Sequence, residues 1–301
     1  MDYKEAMLPT DRRLPALRSI GIVLVSTMGI SVAGLYAVRH LVPLAALRPS
    51  NDTVGNYLQT VGTVYAVLLA FVVYVVWGQL NDARAAVDRE ANEILDLMRS
   101  ARGLPKPQRR RIEDGLQRYV ATVLEREWPA MSHRSEAEFE LGQEILEEIW
   151  RSVCAYDPPG ERERIYFAEI LARFNDLSDN RTSRLSAART RIPYALRLLL
   201  YLGAFTTIAS MYLFAVDDLH IHALLTAALA GAIAHVLYVI FDLDDGFTGD
   251  FRIPKEPFYR LQRYIAAAGA NGDLAGATTP GSTTAAAAGA ASSPTRELGD
   301  G

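Results

Sequence analysis

The chain is poor in cysteine: Cys154 is the only one in 301 residues. That excludes an intramolecular disulfide framework and a cysteine-rich zinc site, and leaves the ordinary reading of a small apolar side chain. The five histidines are scattered, and a His-Glu-x-x-His pair, a phosphate-cradling glycine loop, a nucleophile elbow and a dinucleotide fingerprint are all missing. The expectation is a protein that is not an enzyme and carries no organic cofactor. Two-residue alternation is missing from the charged middle of the chain, which argues against strands there. Finally, charge is nearly missing from four stretches: Ile20–Val38, Thr60–Trp77, Tyr194–Val216 and Ala223–Phe241.

Each of these stretches is close to the ~20 residues that a helix needs to cross ~30 Å of hydrocarbon. The first is longer than the ~7–15 residues of a signal-peptide core and has no clean cleavage site, so it reads as a retained span. The fold class is therefore all-α: an integral membrane protein with four transmembrane helices, two plus two, around a cytoplasmic helical domain. The expected organisation is an N-terminal segment 1–17, spans one and two in 18–80 and the cytoplasmic domain in 81–192. A hairpin of spans three and four follows in 193–245, then an acidic and aromatic segment 246–265, and a disordered Ala/Gly/Thr/Ser tail 266–301.

Basic residues set the orientation. Lys4, Arg12, Arg13 and Arg18 precede the first run, and Arg84 and Arg89 follow the second. Arg181, Arg184, Arg189 and Arg191 precede the third, and Arg252, Lys255, Arg260 and Arg263 follow the fourth. The link Asp217-Asp218-Leu219-His220-Ile221-His222 has no Lys or Arg. Both termini and the middle domain are expected in the cytoplasm, with Arg197 snorkelling to the headgroups.

No proline falls between Tyr57 and Ala101. The second span is expected to run on as one long helix, with Ala83, Val87, Ala91, Ile94 and Met98 on one face, until Gly103-Leu104-Pro105-Lys106-Pro107. A second helix carries Ile112, Leu116, Tyr119 and Val123 and is expected to end at Trp128-Pro129. A third opens on the capping-box spacing Ser135-Glu136-Ala137-Glu138 and buries Phe139, Leu146, Ile149, Trp150 and Val153. A fourth runs from Glu161 towards Arg191 with Phe167, Leu171, Phe174 and Leu177 inward.

Four groups are candidates for function. On the second span Asn56, Gln59, Thr63, Ala66, Ala70, Tyr74 and Trp77 fall within about 80° of one another at 100° per residue. Such a polar-to-small stripe must face protein or water; it reads either as a helix-packing seam or as a pore lining. Asp242, Asp244, Asp245 and Asp250 crowd the end of the fourth span. Three readings stand: a polar turn paired with the arginines before span three, a calcium site, or an electrostatic funnel. His235 is an ionisable group inside a span, whose ordinary fate is a hydrogen bond to a neighbouring Thr or Tyr. Asp217, Asp218, His220 and His222 would suit an external metal but read better as solvated loop residues. The run Arg109-Arg110-Arg111 sits among acidic residues, so a solvated face or anionic lipid is expected rather than nucleic acid.

The chain resembles the bacterial bestrophin-like family. The two-plus-two layout matches, as do Asn56, Gly62, Tyr65, Phe71 to Trp77, Glu90-Ala91, Tyr119, Glu127-Trp128-Pro129, Met131, Arg181, Arg184 and Pro193. Where that family shows Asp-x-Pro-Phe-x-Gly, this chain has Asp244-Asp245-Gly246-Phe247-Thr248-Gly249, which predicts a looser turn. The more distant bestrophins are pentameric anion channels. That resemblance places a neck around Ala66, Leu69, Ala70 and Val73 and an acidic clasp around Asp242–Asp250. It implies a homo-oligomeric ion channel, with anions expected from the many arginines, in a bacterial plasma (inner) membrane. Its partners would be the lipid bilayer, further copies of the chain and inorganic ions. The alternative is a non-conducting scaffold or sensor whose cytoplasmic helices bind a partner.

Overall fold

A computed structural model describes the backbone of residues 10–133 and 137–274 and the side chains of 18–132 and 138–267. The capping-box residues Ser135 and Glu136, the first nine residues and the tail beyond 274 lie outside the described residues. All regular structure among the described residues is helical. The order is α1 (Thr10–Leu41), α2 (Leu44–Leu47), a 3-10 turn (Arg48–Ser50), α3 (Asn51–Ala101), α4 (Lys106–Thr122), a π turn (Val123–Glu127), α5 (Trp128–His133), α6 (Ala137–Cys154), α7 (Glu161–Arg189), α8 (Tyr194–Tyr212), α9 (Leu219–Asp244) and α10 (Glu256–Leu274). Four stretches of helix, in α1, α3, α8 and α9, are long and apolar enough to cross a membrane.

Residues up to Gln262 form one compact unit; the second, from Arg263, is described only as the end of α10. That helix runs to Leu274, past the expected boundary at residue 266. Its Ala266-Ala267-Ala268 run supplies the best intrinsic helix former.

α1 and α3 pack against the α8–α9 hairpin. The contact of α3 with α8 is close because Gly203 has no side chain: a Cβ there would come within 2.4 Å of the Tyr65 ring. The Tyr65 hydroxyl donates to the Leu200 carbonyl at 2.9 Å. At the loop end, Arg48 pairs with Asp217, Arg39 donates to the Val216 carbonyl, and Asn51 holds both backbone groups of Ala215. The start of α3 and the link between α8 and α9 are thereby fastened together.

α3 is one unbroken helix of 51 residues, about 75 Å long at ~1.5 Å per residue. Its lower half packs along α7, which forms its most extensive interface. Ala83, Val87, Ala91, Ile94 and Met98 are buried there, together with Leu80 and Leu97. Each fully buried Leu or Ile contributes about 1.5–3 kcal/mol. α4 packs on α6, where Ile112, Leu116, Ile149 and Val153 are buried. Trp150 stacks at 5.1 Å on Phe174 of α7.

The helix expected to end at Trp128-Pro129 does not end there. It widens into the π turn, where the Trp128 amide reaches the Val123 carbonyl, and continues as α5. A proline lacks the amide that an α-helix needs there; the wider turn takes up that defect and turns Glu127 inward. On α7 the buried apolar residues are Ile170, Phe174, Leu177, Leu185 and Ala188, while Phe167 and Leu171 are half-buried.

Candidate functional site

The stripe on α3 faces away from its own protomer. Asn56, Gln59, Thr63, Ala66, Ala70, Tyr74 and Trp77 are all exposed, Tyr74 at 77%. The opposite face of the same turns, Tyr65, Leu69, Val72, Val76 and Leu80, is buried against α8 and α9. Packing inside the chain is therefore not what the small residues do. Leu69, which the bestrophin resemblance placed in the neck, lies on the buried side. Thr63 donates to the Gln59 carbonyl at 2.7 Å, but the Asn56 and Gln59 amides have no partner among the described residues. Unpaired amides in hydrocarbon cost several kcal/mol each by transfer arguments, roughly 4–8. Exposure is wider than the stripe, since Val64, Val67 and Phe71 are exposed on its flank.

The acidic turn is held by protein donors. Asp245 pairs with Arg191 at 2.7 Å. Asp244 accepts the Ile192 amide at 2.7 Å and faces Arg197 at 3.3 Å. Asp242 accepts the amides of Asp250 and Phe251, both at 2.9 Å. Asp250 accepts the Tyr238 hydroxyl at 2.7 Å. No group of three or more His, Cys, Asp or Glu placed to hold a metal occurs among the described residues. Arg197 lies over the Phe241 ring at 5.7 Å, beside Asp244 at the end of α9.

The turn is also tight. Gly249 has φ +65°, and a Cβ there would sit 2.3 Å from Asp242 Oδ1. Only glycine takes this conformation without strain. A Cβ on Gly246 would come within 2.9 Å of Leu80, so the glycine that replaces the expected proline brings the loop close to α3.

Two histidines exchange their expected roles. His235 is exposed on α9 and has no hydrogen-bond partner among the described residues. His222, expected in a solvated loop, is fully buried in the first turn of α9 and bonds the Met211 carbonyl at 2.8 Å. Asp218 caps that helix, accepting the His220 and Ile221 amides at 2.8 and 3.2 Å. Those amides hold its carboxyl below the usual aspartate range.

The largest polar feature is one that sequence patterning missed. Glu90 of α3, Glu127 of the π turn and Arg184 of α7 are fully buried, and Arg181 nearly so. Arg184 reaches Glu90 at 2.5 Å through Nε and Glu127 at 2.5 Å through Nη2. Arg181 reaches Glu127 at 2.8 Å and the Phe139 carbonyl at 2.6 Å. The Tyr119 hydroxyl donates to Glu90 at 2.6 Å. Burial works against the Arg184 cation, but the two carboxylates outweigh it and push its pKa well above the usual value. Burial, then Glu90 and Glu127, raise the Tyr119 phenol, so it stays a donor. Two carboxylates against two guanidiniums leave the cluster formally neutral, which is the condition for burying it.

The cluster touches the segment after α9. Trp128 packs edge-on against Phe247 at 5.8 Å and Phe258 at 6.0 Å, and Arg184 lies 5.9 Å over Phe258. Glu90, Glu127 and Met131 were legible only as points of family resemblance; Tyr119 was read as a helix position and Arg181 and Arg184 as cations before the third span. Spacing carried a further signal: Arg181, Arg184 and Ala188 continue the buried face of Phe174 and Leu177.

The arrangement defines a class: a four-span helical membrane protein whose second span extends into a helical domain bound together by buried charge. The model of the bestrophin-like domain matches residues 25–258, and the chain belongs to the bestrophin-like family. Its fold is similar to solved structures of a bacterial bestrophin homologue from Klebsiella pneumoniae. A single-substitution variant aligns with TM-score 0.63 and 15% identity over 82% of this chain and 99% of that one. A form phased with zinc aligns with TM-score 0.62 and 14% identity over 81% and 97%. A structure described as a membrane protein variant gives TM-score 0.61 and 15% identity over 83% and 98%. No curated protein gives a significant sequence match.

Proposed function

We propose that the chain is a homo-oligomeric ion channel, a pentamer by its family resemblance, in which α3 lines the pore. The observation that carries this is the complete exposure of the Asn56–Trp77 stripe, opposite a face buried within the protomer. A stripe with unpaired amides at its loop end needs water or another copy, and a ring of copies around an axis supplies both. The cytoplasmic domain then forms a vestibule, with both termini on that side of a bacterial inner membrane. Anions are the first ions to test, although the arginines set up a weaker field than their number implies. Arg99, Arg109, Arg118, Arg173, Arg181 and Arg184 are each paired with a carboxylate of the protomer. The acidic turn serves as a brace at the inner mouth; a calcium role would require its present bonds to open.

Purified protein in liposomes should carry anion or cation flux. Single cysteines at Thr63 and Ala70 should react with aqueous thiol reagents and block it, whereas cysteines at Val67 and Val75 should not. Equal inertness of all four positions, with no flux, returns the chain to the non-conducting scaffold.

A further inference from the structure

The loop end of the membrane helices holds a buried histidine in a setting that disfavours its charged form. His222 is fully buried, and one ring nitrogen is spent on the Met211 carbonyl of α8 at 2.8 Å. A backbone carbonyl only accepts, so that nitrogen carries the hydrogen, and Nδ1 carries a lone pair. Nδ1 is buried with no partner among the described residues, and so is the Nε of Arg39. Three contacts fasten the α8–α9 link to α1, the 3-10 turn and the start of α3: Arg39 with Val216, Arg48 with Asp217, and Asn51 with Ala215.

The charged and titratable neighbours are few. From α1, Arg39 acts on the imidazole, and His40 is exposed. α8 presents the Met211 carbonyl, while its Tyr212 is hydrogen-bonded to Ser31 of α1. In the link before its own helix, Asp218 is spent on the amides of His220 and Ile221, and Asp217 faces Arg48. Among the described residues no carboxylate is therefore bonded to Nδ1. A second proton would bury an unpaired donor and a positive charge beside an arginine, and each of these is costly.

We propose that His222 is the trigger of an acid-sensitive latch. Above pH 7 the neutral ring holds the α8–α9 link onto the start of α3. Below the ordinary histidine pKa of about 6.5, the proton is taken up by the opened link, where water solvates the ring. The closed form excludes that proton, so acid shifts the equilibrium towards opening. Between pH 7.5 and 5.5 the population of open link relative to closed should rise about tenfold, which is the ratio of histidine titration across a pKa near 6.5. This goes beyond the channel proposal and holds whether or not the protein conducts.

The test is amide hydrogen exchange on the full-length protein in detergent, read on a peptide covering 211–224 and corrected for the intrinsic pH dependence. The amides of Ala215 and His222, held by Asn51 and by the Asp218 carbonyl, should exchange about tenfold faster at pH 5.5 than at pH 7.5. In His222→Gln, whose amide can still donate to Met211, the two rates should be equal; His222→Asn is the second variant if the first does not assemble. Asp217→Asn should keep the acid response. Exchange in the wild type that does not change with pH overturns the latch. So does a His222→Gln protein that retains the full acceleration, or loss of the response in Asp217→Asn.

Discussion

The two halves of α3 follow opposite rules. From about residue 83 onward, its lower half, the helix is satisfied within its own protomer: Ala83, Val87, Ala91, Ile94 and Met98 are buried, and Glu90 is paired with Arg184 and accepts the Tyr119 hydroxyl. Above it the helix is only half covered, and seven polar or small positions face outward. Continuous helical structure thus joins a segment complete in one copy to a segment completed by something else. The lesson is that helix formation and helix burial are decided separately: propensity and backbone bonds make one rod, and the side chains divide it.

The largest expected effect is in the lower half. Arg184→Met should cost about 3–5 kcal/mol, because it leaves Glu90 buried without a cation and Glu127 with Arg181 alone. Thermal unfolding in detergent checks this, and a loss under 1 kcal/mol would show the cluster to be reached by water. Gly249→Ala should cost about 1–3 kcal/mol by forcing a side chain into φ +65° against Asp242. Tyr65→Phe, which leaves the buried Leu200 carbonyl without its side-chain donor, should cost about 1 kcal/mol.

In the upper half the expected change in stability is small. Ala70→Leu should move protomer stability by less than about 0.5 kcal/mol while reducing flux through the narrowed stripe. If it instead breaks up the oligomer with flux pathways untouched, the stripe is a seam between copies and the contrast between the halves changes meaning. The smallest effect concerns pH. The Asp218 carboxyl is held below its ordinary value by two amides, so its cap contributes above that ordinary value and is lost as pH falls through the lowered one. An Asp218→Asn variant should lose this acid-limb slope, which lies well below the histidine range and so separates from any effect of His222.

The span count, the inward face of the lower half of α3 and the pairing of the acidic turn with the arginines before span three were legible in the sequence. They rest on run length, helical period and charge proximity, which are local quantities. The buried cluster was not legible from patterning, because Glu90, Glu127, Arg181 and Arg184 look like surface charges until three separate segments bring them together. Trp128-Pro129 misled for the same reason: proline predicts a helix end, and only the surroundings show that a wider turn absorbs it. His222 looked like a loop residue because its link is short and polar, yet Thr226, Ala230 and Ile233 continue its buried face. What faces the stripe lies outside a single chain.

The unbroken course of α3 makes residue count a dial. No glycine kink or proline interrupts Asn51–Ala101, so the heading of the stripe is phase-locked to the side on which Glu90 meets Arg184. One residue inserted between Gly78 and Ala83 would turn the upper half by about 100° against the lower. Seven residues, about two full turns, would return the stripe to within some 20° of its heading and only lift it by about 10 Å. Insertions of different length at this joint would therefore separate the direction in which the stripe points from the height at which it stands.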